Sequence, residues 1–367
     1  MITAPLSVSG AQILDANGRP VRLAGVNWGG AQQDGLVPAG LDKLNRNAIA
    51  ERVAGWGLNH VRFPFALGSF VNNGGTLKTG AADAAALAAN TDLVGQTPWE
   101  VYQACVTALT SAGLAVIPNQ MLLFPGWCCA EADNNGLWYN GNWPASTFAA
   151  CWTLVANALA SNPLVIGYDL HNEPRPASVG GKTLTPSWGD GDAATDMQAI
   201  YSSTAAKLRV ISGSKLFFCE GLNYAGDLTE AGAHPVTGPD VVYSLHDYSW
   251  YHTKGQTLTD YYNQMDANGG YLMLDGTAPL YIGEFGQNLD TAANMSTGWL
   301  PQFLSYCNAR TLHWCWWELS AQMVLGTQPV TNIVQMHPGD QESYGLMQGQ
   351  DWLGDQTEML ALLQAIM

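Results

Sequence analysis

The sequence predicts an α/β fold, a closed (β/α)8 TIM barrel, in a single domain that spans residues 1–367 and carries extended βα loops. Two observations predict it: eight apolar runs that each end in polar residues, and segments of helical periodicity between them. No repeat, linker or low-complexity tract divides the chain, and an apolar content of 47% permits one large core.

The predicted strands are continuous apolar, β-branched or aromatic runs. They comprise residues 22–28, 60–65, 114–120, 165–173, 215–221, 241–248, 280–285 and 312–319. Continuous apolar character, in place of alternation, is typical of strands that are buried on both faces of a parallel sheet.

The segments between these runs predict helices, most clearly over residues 48–57, 101–112, 148–160, 197–211 and 299–309. Alternating strands and helices indicate right-handed βαβ units, and eight such units close a barrel. A doubly wound open sheet is the alternative, but no Gly-rich phosphate loop follows any predicted strand. Residues 66–99 and 122–144 exceed minimal βα loops, so we expect them to build walls around a cleft, with residues 326–347 after the last strand as a further candidate wall.

The charge balance limits the possible partners. The chain has 30 acidic and 14 basic residues, a formal net charge of −16, which disfavours nucleic acid and anionic membrane surfaces. No apolar run reaches the roughly 18 residues that a membrane span requires. Low Lys content and 14 Trp favour a secreted protein whose signal peptide is absent from this chain, with a cytoplasmic protein as the alternative.

The seven cysteines allow at most three disulfides and leave one thiol over. We expect Cys128 and Cys129, being adjacent, to need distant partners, with buried free thiols as the alternative. No cysteine or histidine spacing suggests zinc, so no metal and no cofactor are predicted.

Catalytic residues of a (β/α)8 barrel lie at the carboxyl ends of its strands. Two carboxylates, Glu173 and Glu284, end the fourth and seventh predicted strands on opposing sides of the mouth. Paired carboxylates without metal ligands suit glycoside hydrolysis, in which one protonates the leaving oxygen and the other attacks the sugar or activates water. A purely structural ion pair between Arg62 and Glu284 is the alternative.

Five motifs in this order resemble glycoside hydrolase family 5, the clan-A, cellulase-like family. They are Asn59 to Pro64 around Arg62, Asn172-Glu173-Pro174, His246-Asp247-Tyr248, Ile282 to Gly286 around Glu284, and the closing Trp314 to Trp317. The resemblance covers the chain from about residue 13 to residue 319. Residues 124–129 resemble a little-studied branch of the family found in plants and microbes.

The resemblance implies a retaining β-glycoside hydrolase that acts within a β-linked glucan, as an endo-β-1,4-glucanase does. An exo-acting β-glycosidase on small glycosides or glycolipids, and a non-catalytic sugar-binding barrel, are the alternatives. The expected partner is an oligosaccharide, polysaccharide or other β-glycoside, and the expected oligomeric state is a monomer.

The resemblance also implies residue roles. Glu173 would be the acid/base and Glu284 the nucleophile. The substrate-binding set would include Asn172 at the sugar 2-hydroxyl, Arg62 and Tyr248 on Glu284, His246 near Glu173, and Trp317 under the sugar. Strand ends and following loops add further candidate sugar contacts: Trp28, Asn119, Gln120, Trp127 and Trp138.

The end of the third strand departs from the family pattern. Many members carry Asp-x-His there, whereas this chain reads Asn119-Gln120-Met121. A thioether therefore replaces an imidazole, and we expect this side of the cleavage subsite to be more apolar.

Overall fold

The computed structural model describes residues 2–129, 131–288, 298–322 and 342–367. Within these residues, eight parallel strands close into a barrel, which confirms the predicted fold class. In chain order the barrel strands are β1 Ala24–Asn27, β2 His60–Ala66, β3 Ala115–Leu122, β4 Gly167–Asp169, β5 Leu216–Glu220, β6 Val241–Asp247, β7 Leu280–Phe285 and β8 His313–Trp316.

The fourth strand is shorter than the prediction over residues 165–173. Val165 forms only an isolated bridge with Val116, and regular pairing is confined to β4. Beyond β4 the chain leaves the sheet, and Glu173 takes a left-handed backbone with φ 45°. The apolar run therefore continued past the end of the hydrogen-bonded ladder, into the rim of the barrel mouth.

The five predicted helices are present with small shifts in their bounds. The main helices are α1 Arg46–Gly55, α2 Pro98–Ser111, α3 Ala145–Leu159, α4 Met197–Ser212, α5 Leu258–Met265, α6 Trp299–Arg310 and α7 Thr357–Gln364. The start of α2 shows how the local sequence determines where a helix begins, because Thr97 and Glu100 form a capping box and Pro98 occupies the first helical position. Periodicity did not predict α5 or α7.

Short elements fill the connections. They are the helices Leu67–Phe70, Leu222–Ala225 and Tyr271–Leu274, the 3-10 turns Ala85–Leu87, Thr91–Leu93, Glu131–Asp133 and Ser249–Tyr251, the π-turn Asp266–Gly270, and the strand pairs Ala177–Val179 with Lys182–Leu184 and Met347–Gln348 with Gly354–Asp355. Across the described parts of the chain, no helix combines the length and the apolar character that crossing a bilayer requires.

Apolar side chains close the amino end of the barrel. Ile117, Phe218 and Tyr281 are fully buried in an interior cluster that also takes in Ile13 from an antiparallel hairpin. The hairpin pairs Ser7–Ser9 with Gln12–Leu14. Because this end is filled, a substrate can enter the barrel only at the carboxyl ends of the strands.

Candidate active site

A cavity of about 550 Å³ opens where the predicted site residues converge. Its lining comprises Met121, Trp127, Cys128, Cys129, Glu173, Tyr224, Tyr248, Trp250, Tyr251, Glu284, Trp317, Glu342, Ser343 and Tyr344. Both predicted catalytic carboxyls are in this set, together with predicted sugar contacts. The loop of residues 122–144 contributes to the wall, as expected from its length.

Glu284, on β7, is held at both carboxylate oxygens. The Arg62 guanidinium donates to its Oε1 at 2.7 Å, and the Tyr248 hydroxyl donates to its Oε2 at 3.1 Å. Strand register aligns Glu284 with His246 on β6, which brings the carboxyl ends of both strands to the same level. Glu284 is 4% exposed, so these two donors replace water around a largely buried carboxylate. The ion pair with Arg62 exists, but the same carboxyl also lines the cavity.

Glu173 is placed by its backbone as well as its side chain. Its N–H donates to Glu220 Oε2 at 2.6 Å, which stabilises the left-handed conformation that turns the residue toward the cavity. Its Oε1 lies 2.9 Å from His246 Nδ1. Burial, and to a lesser extent the charge of Glu284, raises the pKa of Glu173 against the opposing effect of the His246 hydrogen bond.

The two carboxyl groups are close together. One oxygen of Glu173, one of Glu284 and a ring nitrogen of His246 all lie within 4.8 Å of one another. A retaining glycosidase places its carboxyls about 5–5.5 Å apart, whereas an inverting enzyme needs about 6.5–9.5 Å to admit a water molecule. The observed arrangement has the dimensions of the retaining geometry.

A single guanidinium organises the floor of the site. Arg62 is fully buried and donates to five acceptors at 2.6–2.9 Å, namely Asp169, Glu220, Glu284, Asn172 and Asn27. These acceptors come from, or directly follow, β1, β4, β5 and β7. Arg62 therefore fixes several strand ends relative to one another, which a Lys with three donors could not do.

The charges in this buried cluster shift one another's pKa values. Burial alone would lower the pKa of His246, but the carboxylates of Glu284 and Glu220 raise it well above its usual value. Burial and the Glu220 charge raise the pKa of Asp169 to about 8. Arg62 and His246 thus lie among four carboxyl groups, those of Asp169, Glu173, Glu220 and Glu284, which stabilise both buried cations.

Aromatic side chains form much of the cavity wall. Trp317 packs in a small apolar cluster with Met121, and Trp127 lies on the following loop. Trp250 is 62% exposed and stacks on Tyr248, with ring centroids 4.5 Å apart and planes 7° apart. These flat surfaces suit the C–H faces of pyranose rings.

Four of the five further candidate sugar contacts do not line the cavity, and Arg62, Asn172 and His246 are buried behind the lining. Trp28 is fully buried, donates to the Ala39 carbonyl at 2.9 Å and packs on Phe63, so it belongs to the core. Trp138 is also buried in that core. These two assignments were wrong because a strand end or a loop can turn a Trp inward.

Gln120 and Asn119 lie below the cavity surface. Gln120 Oε1 accepts a hydrogen bond from His171 Nδ1 at 2.6 Å, and its Nε2 donates to the Leu122 carbonyl at 2.7 Å, which uses both ends of the amide. Asn119 is fully buried beside Asp169 in the β3–β4 register. Both predictions as direct sugar contacts are therefore corrected, because neither side chain reaches the lining.

The cysteine expectation was also wrong for the adjacent pair. Cys128 and Cys129 are bonded to each other, at the edge of the cavity. The other five cysteines are buried free thiols, which is the alternative that the odd count allowed.

Several lining residues escaped sequence reasoning. Tyr224 follows β5, and Tyr251 donates to its carbonyl at 3.0 Å. Ser343 and Tyr344 lie far beyond the last barrel strand in sequence. The fifth strand end offered a weak signal for Tyr224, whereas Ser343 and Tyr344 were not predicted individually, although they belong to the candidate wall of residues 326–347.

Two groups of potential metal ligands occur in the described residues. One is Glu173, His246 and Glu284, and the other is Cys128, Cys129 and Glu173. In the first group, His246 Nδ1 and Glu173 Oε1 already share a hydrogen bond. In the second, disulfide sulfurs lack the thiolate that metals prefer.

Comparisons with known proteins agree with this arrangement. The family model described as Cellulase (glycosyl hydrolase family 5) matches residues 14–323. An endoglucanase from Paenibacillus polymyxa is 26% identical over 336 residues, covering 85% of this chain and 78% of that protein. The major extracellular endoglucanase of Xanthomonas campestris pv. campestris is 25% identical, covering 83% of this chain and 63% of its own length, so the chain spans less than two thirds of that relative.

Among solved structures, a complex of an endocellulase from Pyrococcus horikoshii with cellotetraose has the same fold. The TM-score is 0.80 at 19% identity, and the match covers both chains completely.

Proposed function

We propose that this chain, which belongs to glycosyl hydrolase family 5, hydrolyses internal β-1,4 bonds of glucan chains with retention of anomeric configuration. The observation that carries the proposal is the pair of buried carboxyls, Glu173 and Glu284, whose oxygens approach within 4.8 Å in a cavity large enough for sugar units. Two opposed carboxyls at this distance serve a double displacement, whereas simple sugar binding does not require them.

In the first step, Glu284 acts as the nucleophile. Its ionised carboxylate attacks the anomeric carbon, and the bond from that carbon to the glycosidic oxygen breaks. Glu173 donates its proton to the departing oxygen, for which its raised pKa suits it. The products are a free sugar hydroxyl and a glycosyl ester on Glu284.

In the second step, water enters the position that the leaving sugar vacated. Glu173, now ionised, removes a proton from the water as the oxygen attacks the anomeric carbon and displaces Glu284. Since each displacement inverts the anomeric centre, two of them retain its configuration.

Neighbouring residues prepare these steps. Arg62 and Tyr248 hold Glu284 ionised and oriented, and His246 orients the Glu173 carboxyl through its 2.9 Å hydrogen bond. We assign Asn172 to the sugar 2-hydroxyl, and Trp317 and Trp127 to stacking against sugar rings. Preorganised hydrogen bonds of this kind need no rearrangement as charge develops.

The proposed substrate and cellular location follow from the chemistry of the site and from the similar proteins. The named relatives are endoglucanases, one of them extracellular. We therefore propose a β-1,4-glucan substrate and action outside the cell. We also propose a monomer, because only eight large apolar side chains of the described residues are exposed.

The test is a product profile on β-glucans, mannans, xylans and aryl β-glycosides. We expect a rapid fall in the viscosity of a soluble β-1,4-glucan together with oligosaccharides of mixed length. Release of single terminal sugars without loss of viscosity would replace endo action by exo action. Activity restricted to mannan or xylan would overturn the substrate assignment.

A further inference from the structure

We propose that the Cys128–Cys129 disulfide is a sugar-binding platform that selects pyranosides with C–H groups, and no axial hydroxyl, on the face turned toward it. The proposal deepens the proposed function and rests on it for the position of the sugar beside Glu173. It assigns a role in substrate selection to a feature that the double displacement does not itself use.

The first observation is the position of the disulfide. Both sulfurs lie within 4.8 Å of a carboxylate oxygen of Glu173, and both cysteines line the cavity. Each residue is only half-buried, so the pair presents surface to the cavity. A sugar whose glycosidic oxygen reaches Glu173 must therefore pass against Cys128 and Cys129.

The second observation is the contact with Asn172. The amide Oδ1 accepts from Arg62 at 2.6 Å, while its Nδ2 faces Cys128 Sγ at 3.5 Å and Cys129 Sγ at 3.6 Å. Arg62 thus settles which end of the amide is the donor. Asn172 is fully buried and outside the cavity lining, so its amide N–H faces the two sulfurs, which are weak acceptors, and not the cavity.

The third observation is the apolar character of the neighbouring wall. Cys128 and Trp317 pack on a small cluster formed by Met121, Ala66 and Leu122. The disulfide and the thioether are polarizable and offer no hydrogen-bond donor to a sugar oxygen, and the indole of Trp317 offers only its single ring N–H.

This wall discriminates between sugar configurations. A gluco-configured β-pyranose carries its hydroxyls equatorially and presents axial C–H groups on both faces. A manno-configured sugar has an axial 2-hydroxyl, which would lose hydrogen bonds to water without gaining an equivalent partner on sulfur. The platform therefore favours glucosides over mannosides.

The test compares aryl β-glucosides with aryl β-mannosides for three forms of the protein: the parent, the parent treated with a phosphine reductant, and the Cys128→Ala/Cys129→Ala variant. Reduction should convert the disulfide to two thiols. All seven cysteines lie in the described residues and the other five are buried free thiols, so this is the only disulfide available to the reductant. Cys151→Ala, which removes one of these buried thiols, is the matched control and should respond to the reductant as the parent does.

We expect reduction and double substitution each to raise KM for the glucoside about three- to tenfold, with a smaller effect on kcat, the size expected for loss of sulfur contacts. The glucoside-to-mannoside ratio of kcat/KM should fall in parallel, and the pH–rate profile should keep its shape. The double variant should no longer respond to the reductant. If the variant fails to fold, the reduced parent alone decides the outcome.

An unchanged KM and an unchanged sugar preference after reduction would overturn the proposed platform. This holds even if reduction lowered the melting temperature, because the disulfide would then have only a structural role. A parent that cleaves aryl β-glycosides but no β-1,4-glucan would overturn the proposed substrate instead. The effect of reduction on aryl glycosides would still decide the platform in that case.

Discussion

Replacing Arg62 by Met should show how strongly this cation stabilises the buried carboxyl groups of the site. The substitution keeps an unbranched apolar stem and removes the cation that donates to Asp169, Glu220 and Glu284. All three carboxyls are then left without their shared partner in a nearly water-free environment. We expect loss of activity and a pH-dependent loss of stability.

The magnitude follows from burial. Removing one partner of a fully buried ion pair costs about 3–5 kcal/mol, a large fraction of the roughly 5–15 kcal/mol by which native proteins are stable. Protons can partly offset this cost by neutralising the stranded carboxyls. The folded variant would then bind more protons than its unfolded chain, so its stability should fall as pH rises, by about 1.4 kcal/mol per pH unit for each extra proton.

Urea unfolding of parent and R62M between pH 5 and pH 8 measures this directly. The gap in the free energy of unfolding should be small near pH 5 and widen toward pH 8. Arg62→Lys is the matched control, because it keeps the charge but loses the branched donor geometry; its gap should depend less on pH, while kcat still falls. An equal gap for R62M at both pH values would refute the idea that Arg62 compensates buried carboxylate charge.

Three further predictions concern catalysis. The pH dependence of kcat/KM should be bell-shaped. Because burial and Glu284 raise the pKa of Glu173, activity should be lost on the alkaline side as Glu173 deprotonates. An alkaline limb that persists in Glu173→Gln would contradict this. Glu173→Ala should lower the rate of hydrolysis about 10²–10⁴-fold for substrates with poor leaving groups and far less for activated aryl glycosides. Azide should restore turnover, because it is a nucleophile that needs no base. Equal losses for both substrate types would show that Glu173 is not the acid/base. Met121→His should alter relative rates across a glycoside panel more than the melting temperature, and identical relative rates would remove Met121 from the subsite.

The sequence predicted the buried strands and the two catalytic carboxyls at their ends. Continuous apolar runs located the eight strands, and the polar residue closing each run placed Glu173 and Glu284 at one end of the barrel. Both inferences depend on the residue types along a short stretch of chain, which are the same whatever fold the chain adopts. The bounds of β4 were less predictable, because an apolar run reports burial and not hydrogen-bonded pairing.

Side-chain direction could not be read in the same way. Trp28 and Trp138 sit at positions that suggested the cavity, yet their rings point into the core. Gln120 lies one residue from Met121, and strand alternation sends the two side chains to opposite faces. The Cys128–Cys129 bond depends on the local backbone of a loop, for which neither spacing nor periodicity gives a signal.

The central claim is that Glu284 forms a covalent glycosyl-enzyme, and the most direct measurement is labelling with a 2-deoxy-2-fluoro β-glucoside that carries a good leaving group. The electron-withdrawing fluorine slows both displacements, and the activated leaving group lets the first outpace the second, so the ester accumulates. Mass spectrometry of the digested protein should then find one added fluoroglucosyl group on the peptide that contains Glu284. A label on any other residue would contradict the account, and so would an unlabelled enzyme whose first product, followed by NMR, has inverted anomeric configuration.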